Sequence, residues 1–364
     1  MSHYYNPVRI IKTEHWHNEL INSIENLKIS SPVIITSPGN RKRLNLDSKF
    51  DYVFSDMSSN PTFDDCINVI KFCQKKMFDG VVALGGGSPM DLAKVVMAHL
   101  SLGKTNIQEL IDYKGTYHKE IPSIFLPTTH GTASEVTMWG TLWNMREKKK
   151  CSISHPNLYP SIAILDGNLT LSLPLDISIS TTMDALSHSF ESIWNKNSNL
   201  TSTNYAIDSI CLILRNIDYL KLDPFNIQAR TRLLYASNLA GLAFSNTKTA
   251  AAHSISYPLT IYYGIPHGIA SSICLPSLLK LNRKSIQHSL DIICEKNNIN
   301  FQQLIEKIKS IPYGVVSYKL IDWGIKEYQI DELVEKSFAS ERMGNNIVNL
   351  SRDIVSNIFR EIYN

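Results

Sequence analysis

The sequence lacks cysteines in C-x-x-C spacing and lacks any run of eighteen apolar residues. The first absence argues against a zinc knuckle or a disulfide framework, so the six cysteines are expected to be reduced and mostly buried. The second absence argues against a transmembrane helix. The residues up to Pro7 are polar and lack the apolar core of a signal peptide. We therefore expect a cytoplasmic protein with no membrane association.

Charge of one sign is also not in excess. The chain has 36 lysines and arginines against 33 aspartates and glutamates, and no basic block is longer than a few residues. Nucleic-acid-binding domains usually concentrate positive charge in a patch, so no nucleic-acid partner is indicated. A length of 364 residues is enough for two domains with separate cores.

The first half of the chain alternates β-branched runs with helical patterns. Strands are predicted at residues 32–36, 52–54, 81–84, 124–126 and 162–166, and a helix at residues 63–77. Such alternation is typical of a parallel sheet covered by helices. From Leu173 onward the periodicity is helical, including a segment at 269–279 that contains Pro276. We predict an α/β domain over residues 1–168 and an all-helical domain over residues 169–364.

A glycine triplet, Gly85 to Gly87, follows the third predicted strand. Ser88 is predicted to cap the next helix, with Pro89 in its first turn. Free amides at a helix N-terminus favour phosphate binding, although glycine triplets also occur in turns that bind nothing. The spacing is not the G-x-G-x-x-G of the usual Rossmann loop.

Two other segments follow predicted strands and are candidates for nucleotide contacts. Residues 37–40 are predicted to form a turn that can bind a nucleotide edge. The hydroxyl-rich residues 127–137 could donate hydrogen bonds to a phosphate or a nicotinamide amide, or could form only a solvated loop.

Histidines and an aspartate in the second half predict a metal site. Asp184 and His188 are four residues apart, so a helix would place them on one face. His253 and His267 follow further along the chain. A carboxylate with imidazoles suits Fe²⁺ or Zn²⁺, and three or four protein ligands leave a position for a substrate oxygen. Taken singly, each histidine is more often a packed core residue than a ligand.

These motifs together resemble the iron-containing alcohol dehydrogenase family over roughly residues 30 to 280. The segments at 184–191 and 266–270 are similar to its ligand segments, and Gly-Gly-Gly-Ser-x-x-Asp-x-x-Lys to its pyrophosphate-binding motif. The resemblance implies that Asp184, His188, His253 and His267 bind the metal. The cofactor-binding residues that it implies are Ser37, Gly39, Asn40, Gly86, Gly87, Ser88, Asp91, Thr128, Thr129, Thr132, Ser134, Thr137 and Lys150.

The implied fold is a Rossmann-like dinucleotide-binding domain followed by an all-α metal-binding domain, with a cleft between them. The metal would polarise a carbonyl while a nicotinamide cofactor supplies hydride. NADPH is slightly favoured over NADH, because no acidic residue follows the first strand and cations occupy residues 41–43. His130 and Ala133 depart from the family's usual small residue and glycine. The expected assembly is a homo-oligomer, a dimer.

The chain also departs from the family pattern around His253. Lys248 and Tyr257 replace a usual glycine and histidine, and with Thr249 they add a cation and hydroxyls. These groups suit a small aldehyde with an anionic tail, although Lys248 could simply point into water. Residues 247–260 are similar to the branch of the family that reduces phosphonoacetaldehyde to 2-hydroxyethylphosphonate in phosphonate biosynthesis. Lys248 and Tyr257 are its candidate substrate-binding residues.

Three alternatives stay open from the sequence. The chain could be another iron- or zinc-type alcohol or polyol dehydrogenase that acts on a different aldehyde or ketone. It could be a lyase like the dehydroquinate synthases, which share the two-domain layout but would need more basic residues for a phosphate-bearing substrate. A binding module without catalytic activity is the third alternative.

Overall fold

A computed structural model of the chain describes residues 3–147, 149–338 and 341–364. The described chain divides into two compact units. One unit contains Asn6–Thr128 and Ala133–Thr170, and the other contains Thr129–Thr132 and Leu171–Asn364 together with the segment that ends at Tyr5. Among the described residues, no helix is both long enough and apolar enough to cross a bilayer.

The first unit is built on a parallel sheet. Within the described residues its six strands have the order β1-β8-β5-β4-β2-β3, and β6 and β7 form a separate antiparallel hairpin. The strands are β1 Arg9–Lys12, β2 Pro32–Thr36, β3 Val53–Phe54, β4 Gly80–Gly85, β5 Ser123–Pro127, β6 Trp139–Asn144, β7 Lys149–Ser154 and β8 Ile162–Leu165. The α/β prediction for this half is confirmed.

The central strands are buried on both faces. Val33 and Ile35 of β2 pack in one core, whereas Ile34 between them packs with Leu20 in another. Successive side chains of a strand point to opposite faces, so a strand between two helical layers is apolar at nearly every position. This explains the short continuous apolar runs that made the strands predictable. The helices of this unit are α1 Trp16–Asn26, α2 Pro38–Arg43, α3 Phe63–Cys73, α4 Gly87–Leu102 and α5 Ile107–Asp112.

Several local predictions for this unit were wrong. Residues 37–40, predicted as a turn, begin α2, with the Ser37 hydroxyl accepting a hydrogen bond from the Asn40 amide at 3.3 Å. The helix α3 ends at Cys73 rather than at residue 77, because the segment after it has nothing to bury and Met77 is 90% exposed. The strands β1, β6 and β7 were not predicted, since each mixes polar and apolar residues in a short run.

The second unit is helical, as predicted. Its longer helices are α6 Leu175–Ile193, α7 Leu200–Leu222, α8 Ile227–Thr247, α9 Ala251–Tyr263, α10 His267–Ser272, α11 Leu275–Asn282, α12 Gln287–Asn297, α13 Phe301–Ser310, α14 Ile330–Ser337 and α15 Arg352–Glu361. Helix α6 is the central element, and its residues 182–193 are all buried. The segment predicted at 269–279 belongs to two helices, α10 and α11, with Pro276 in the first turn of α11, where no amide donor is needed.

Candidate metal centre and cofactor-binding residues

Asp184, His188 and His253 form a buried cluster in the helical unit. One potential ligand atom from each residue lies within 4.8 Å of the others, and the three residues are only 3%, 5% and 2% exposed. The Nε2 atom of His267 is 4.0 Å from Oδ1 of Asp184, and its side chain is 32% exposed. The structure therefore brings together all four predicted ligands, with His267 on the open side.

Two helix contacts produce this arrangement. Asp184 and His188 lie one turn apart on α6, and His253 lies in the first turn of α9. Helix α10 approaches α6 very closely at Gly268, where a Cβ atom would lie 1.9 Å from the carbonyl oxygen of Ser180. Only glycine permits this approach, which places His267 beside Asp184.

Surrounding groups hold the candidate ligands in place. Oε2 of Glu191 lies 2.5 Å from Nδ1 of His253. The Ser271 hydroxyl donates to Oδ1 of Asp184 at 2.9 Å. The ring of His188 stacks on Phe244, with centroids 4.0 Å apart. Metal-binding histidines and carboxylates usually have such outer contacts, because these contacts fix the tautomer and the orientation of the ligand.

The electrostatics of the cluster favour a cation. Burial opposes ionisation of Asp184, but the imidazoles of His188, His267 and His253 hold its pKa well below the usual value. Burial lowers the pKa of His188 to about 4. Burial also disfavours protonated His253, yet the carboxylates of Glu191 and Asp184 outweigh that effect and raise its pKa. The carboxylates thus attract a positive charge, which either a proton on His253 or a metal ion can supply.

The donor atoms fit a metal ion. Nε2 of His253 is buried and has no hydrogen-bond partner within the described part of the chain. Two ligands at about 2.1 Å from a tetrahedral ion lie about 3.4 Å apart. Nε2 of His253 is 3.5 Å from Oδ1 of Asp184, which is close to that separation and too long for a strong hydrogen bond.

Most predicted cofactor residues lie at the carboxyl edge of the parallel sheet. Strands β2, β4 and β5 are neighbours and end immediately before Ser37, Gly86 and Thr128, respectively. Dinucleotides bind at this edge in open α/β sheets. Gly86, not Ser88 as predicted, is the N-cap of α4. Ser88 lies in the first turn, and its hydroxyl donates to the carbonyl oxygen of Ser59.

A buried lysine, which we did not predict as a site residue, organises the hydroxyl-rich loop. Nζ of Lys94 on α4 donates to the hydroxyls of Ser134 and Thr137 at 2.8 and 2.9 Å, and to the carbonyl of Trp139 at 2.7 Å. The Ser134 hydroxyl donates to Asp91 at 2.9 Å. The hydroxyls of Ser134 and Thr137 therefore face Lys94, and they support the loop from inside. Lys94 is the last residue of the Gly-Gly-Gly-Ser-x-x-Asp-x-x-Lys motif. Its position three residues after Asp91 is the signal that could have identified it.

The remaining loop residues have different positions. Thr128 is buried, whereas Thr129 and Thr132 are half-buried. Ala133 has a φ of 47°, so the chain keeps the left-handed conformation although the usual glycine of the family is absent. Lys150 lies on β7 with Nζ 5.7 Å from the ring centre of Trp143 on the paired strand.

Lys248 ends α8 with a strained backbone. Its φ and ψ are 64° and 178°, a combination that is almost restricted to glycine. The side chain is exposed, and its carbonyl accepts a hydrogen bond from Asn195 at 3.1 Å. Strain of this kind typically costs about 1–3 kcal/mol and concentrates at functional sites. The strained backbone and the exposed side chain make Lys248 a candidate functional residue.

The comparisons with known proteins cover both units. Residues 7–167 match the family model described as "Iron-containing alcohol dehydrogenase". Residues 178–363 match the model described as "Fe-containing alcohol dehydrogenase family, C-terminal".

Individual relatives agree with the two family models. The chain is 30% identical to the 1,3-propanediol dehydrogenase of Citrobacter freundii over 85% of its own length and 83% of that protein. It is 34% identical to long-chain-alcohol dehydrogenase 1 of Geobacillus thermodenitrificans, but over 64% of its own length and 59% of that protein. The crystal structure of a sulfoacetaldehyde reductase from Bifidobacterium kashiwanohense in complex with NAD⁺ has a TM-score of 0.92 and 29% identity, covering 100% of this chain and 98% of that one.

Proposed function

Since the chain belongs to the iron-containing alcohol dehydrogenase family, we propose that it reduces phosphonoacetaldehyde to 2-hydroxyethylphosphonate with NADPH or NADH. The protein is an oxidoreductase of the alcohol dehydrogenase class. In the proposed reaction the carbonyl carbon gains a hydride from the cofactor and the oxygen gains a proton, which gives the primary alcohol. The observation that carries the choice of substrate is Lys248, a cation in a strained backbone conformation five residues before His253.

Asp184, His188, His253 and His267 are the proposed metal ligands. A bound Fe²⁺ or Zn²⁺ supplies a Lewis acid for the carbonyl group. Asp184, His188 and His253 are buried and therefore shielded from bulk water, whereas His267 is partly exposed. None of the four is proposed as the proton donor, because a ligand nitrogen or oxygen has its lone pair engaged. The proton is proposed to come from water or from ribose hydroxyls.

The proposed substrate contacts are Lys248 and Tyr257. The ammonium of Lys248 would bind the phosphonate, and Tyr257 would donate a hydrogen bond to it. Tyr257 lies four residues after His253 in α9, so the two residues occupy the same face of the helix. The similarity to a sulfoacetaldehyde reductase supports an anionic tail, since a sulfonate and a phosphonate have similar shape.

The cofactor proposal keeps NADPH slightly ahead of NADH. The amides of Gly86 and Gly87 would bind the pyrophosphate, and residues 37–40 would contact the adenosine ribose. Arg41 already pairs with Asp47 at 2.8 Å, so Lys42, which is exposed, is the better candidate for a 2′-phosphate. Comparing kcat/KM for the two cofactors tests this, and a clear preference for NADH would contradict it.

A panel of three aldehydes tests the substrate proposal on protein reconstituted with Fe²⁺ or Zn²⁺. Phosphonoacetaldehyde, sulfoacetaldehyde and the uncharged isostere 3,3-dimethylbutanal differ in the charge of the tail but little in shape. We expect kcat/KM to be at least about 10-fold higher for phosphonoacetaldehyde than for the isostere, because a hydrogen bond to a charged group contributes about 1.5–3 kcal/mol. Faster reduction of the isostere would contradict the substrate proposal.

The alternative within the family is an alcohol or polyol dehydrogenase for uncharged substrates. The similarity to 1,3-propanediol dehydrogenase favours this alternative, so 3-hydroxypropanal belongs in the same panel. If 3-hydroxypropanal is the best substrate, the alternative replaces the phosphonate proposal.

Replacing His267 with alanine tests the metal site separately. His267 is the most exposed of the four proposed ligands, so the apo protein should remain folded. We expect loss of stoichiometric metal and of turnover, measured by elemental analysis and cofactor absorbance. Normal metal content together with normal rates would show that the site is misassigned.

A further inference from the structure

Arg342 lies beside the proposed substrate residues although it is far from them in the sequence. It belongs to a short 3₁₀ helix, Glu341–Asn345, near the end of the chain. Its Nη1 donates to the hydroxyl of Thr249 at 3.1 Å, and its guanidinium carbon lies 5.6 Å from the ring centre of Tyr257. Arg342 also donates a side-chain hydrogen bond to the Tyr257 hydroxyl. These contacts orient the guanidinium toward Thr249 and Tyr257.

Hydrogen bonds attach the segment that carries Arg342 to the turn between α8 and α9. Nδ2 of Asn345 donates to the carbonyl of Thr249 at 2.8 Å, so the 3₁₀ helix is attached to the turn between α8 and α9. Thr249 is only 4% exposed and follows Lys248 directly. The segment that carries Arg342 and the segment that carries Lys248 are therefore held side by side by partly buried hydrogen bonds.

The group formed by Thr249, Tyr257 and Arg342 is close to the metal ligands. The Tyr257 hydroxyl lies near enough to Glu191 and Asp184 for their carboxylates to raise its pKa, in addition to the larger effect of burial. Tyr257 lies one helical turn after His253 in α9, and Thr249 directly precedes the N-cap residue of that helix. An aldehyde whose oxygen is directed toward His253 and His267 would carry a short tail in this direction.

We infer that Arg342, with Thr249, Tyr257 and Lys248, forms the anion-binding subsite that selects substrates with a phosphonate or sulfonate tail. This inference rests on the proposed function and extends it to a residue 75 positions beyond His267, the last proposed metal ligand. A planar guanidinium binds two oxygens of a phosphonate at once, which the ammonium of Lys248 does not do. Two cations suit a dianionic phosphonate better than a monoanionic sulfonate.

Kinetics of Arg342→Met and Arg342→Lys test the subsite. Methionine keeps much of the aliphatic volume and removes the charge, whereas lysine keeps the charge and loses the planar fork. We expect KM for phosphonoacetaldehyde to rise about 10- to 100-fold in Arg342→Met, with partial recovery in Arg342→Lys. The rise in KM should be at least about 10-fold larger for phosphonoacetaldehyde than for 3,3-dimethylbutanal. The metal content should stay within about twofold of wild type, which controls for misfolding. Arg352→Met, which removes an exposed arginine paired with Glu335, is the matched control and should leave KM for both aldehydes unchanged.

A double variant tests whether both cations bind the same anion. If Lys248 and Arg342 contact one phosphonate, the combined loss in Lys248→Ala with Arg342→Met will differ from the product of the single losses. Independent, multiplicative losses would contradict a shared subsite.

Inhibition by ethylphosphonate separates this inference from the proposed function. Ethylphosphonate carries the anion but no aldehyde, so it can be tested against whichever aldehyde the enzyme reduces best. We expect competitive inhibition of wild type and a Ki about 10-fold or more higher in Arg342→Met. If phosphonoacetaldehyde is a poor substrate but this change in Ki is observed, the subsite stands and the substrate proposal fails. An unchanged Ki in Arg342→Met overturns the subsite, whatever the substrate is.

Discussion

Glu191 binds His253 through both of its carboxylate oxygens. Oε1 accepts a hydrogen bond from the backbone amide of His253 at 3.1 Å, and Oε2 lies 2.5 Å from the ring atom Nδ1. Glu191 is fully buried on α6, one turn after His188. With the Nδ1 proton directed at Glu191, the lone pair of Nε2 is left for the metal.

Replacing Glu191 with glutamine should weaken metal binding without a large change in packing. Glutamine would place its NH2 group opposite either the backbone amide or Nδ1 of His253, so one of these two donors would face another donor instead of an acceptor. We expect the Kd for Zn²⁺, measured by competition with a chelator, to rise about 10- to 100-fold. Glu335→Gln is the control, since Glu335 is an exposed partner of Arg352. Wild-type affinity in Glu191→Gln would mean that this contact does not orient the ligand.

Replacing Gly268 with alanine should destabilise the helical unit and disturb the metal site together. The new Cβ would lie 1.9 Å from the Ser180 carbonyl oxygen, so α10 must move away from α6. We expect the free energy of unfolding, measured in denaturant, to fall by about 1–3 kcal/mol, with weaker metal binding because His267 moves with α10. Gly344→Ala adds a methyl group in open space and should cost little. Equal stability of the two variants would contradict the close approach.

The stability of the protein should rise with pH above neutrality because of Lys94. Burial lowers its pKa to about 7, although Asp91 and Glu135 act in the opposite direction. Between about pH 7 and the unfolded value of 10.5, the unfolded chain binds a proton that the folded chain has lost. The free energy of unfolding therefore rises across this window, by at most about 1.4 kcal/mol per pH unit, and the full cost of the buried charge is present below pH 7.

Comparison with Lys94→Met isolates this contribution. Other groups that titrate in the same window cancel when the unfolding free energies of wild type and Lys94→Met are subtracted at each pH. The difference should increase between pH 7 and pH 9. A difference that is constant over this range would mean that Lys94 remains protonated in the folded protein.

Lys248 allows its charge and its backbone strain to be separated. Glycine adopts a φ of 64° with a ψ of 178° without strain, whereas alanine does not. We expect Lys248→Gly to exceed Lys248→Ala in unfolding free energy by about 1 kcal/mol. Both variants lack the ammonium, so both should raise KM for phosphonoacetaldehyde far more than KM for 3,3-dimethylbutanal. A loss on both aldehydes alike would indicate a structural role for Lys248.

The elements whose signal is local could be predicted from the sequence. Strand β4 is a continuous apolar run because both of its faces are buried, and the pair Asp184 and His188 has the spacing of one helical turn. Signals that depend on distant partners were missed or misjudged. The helix after β4 begins at Gly87 rather than after Ser88, and the polar strand β7 is stable only because it pairs with β6.

The sequence by itself indicated the class of chemistry, because its metal-site and glycine motifs have short, recognisable spacings that resemble those of one enzyme family. Tertiary structure alone decided what surrounds those residues. Lys94 meets Ser134 and Thr137, and Arg342 meets Thr249, across about 40 and 90 positions of sequence. Such contacts leave no periodic or compositional pattern in the sequence. A slightly different packing of the intervening helices would pair the same side chains with other partners.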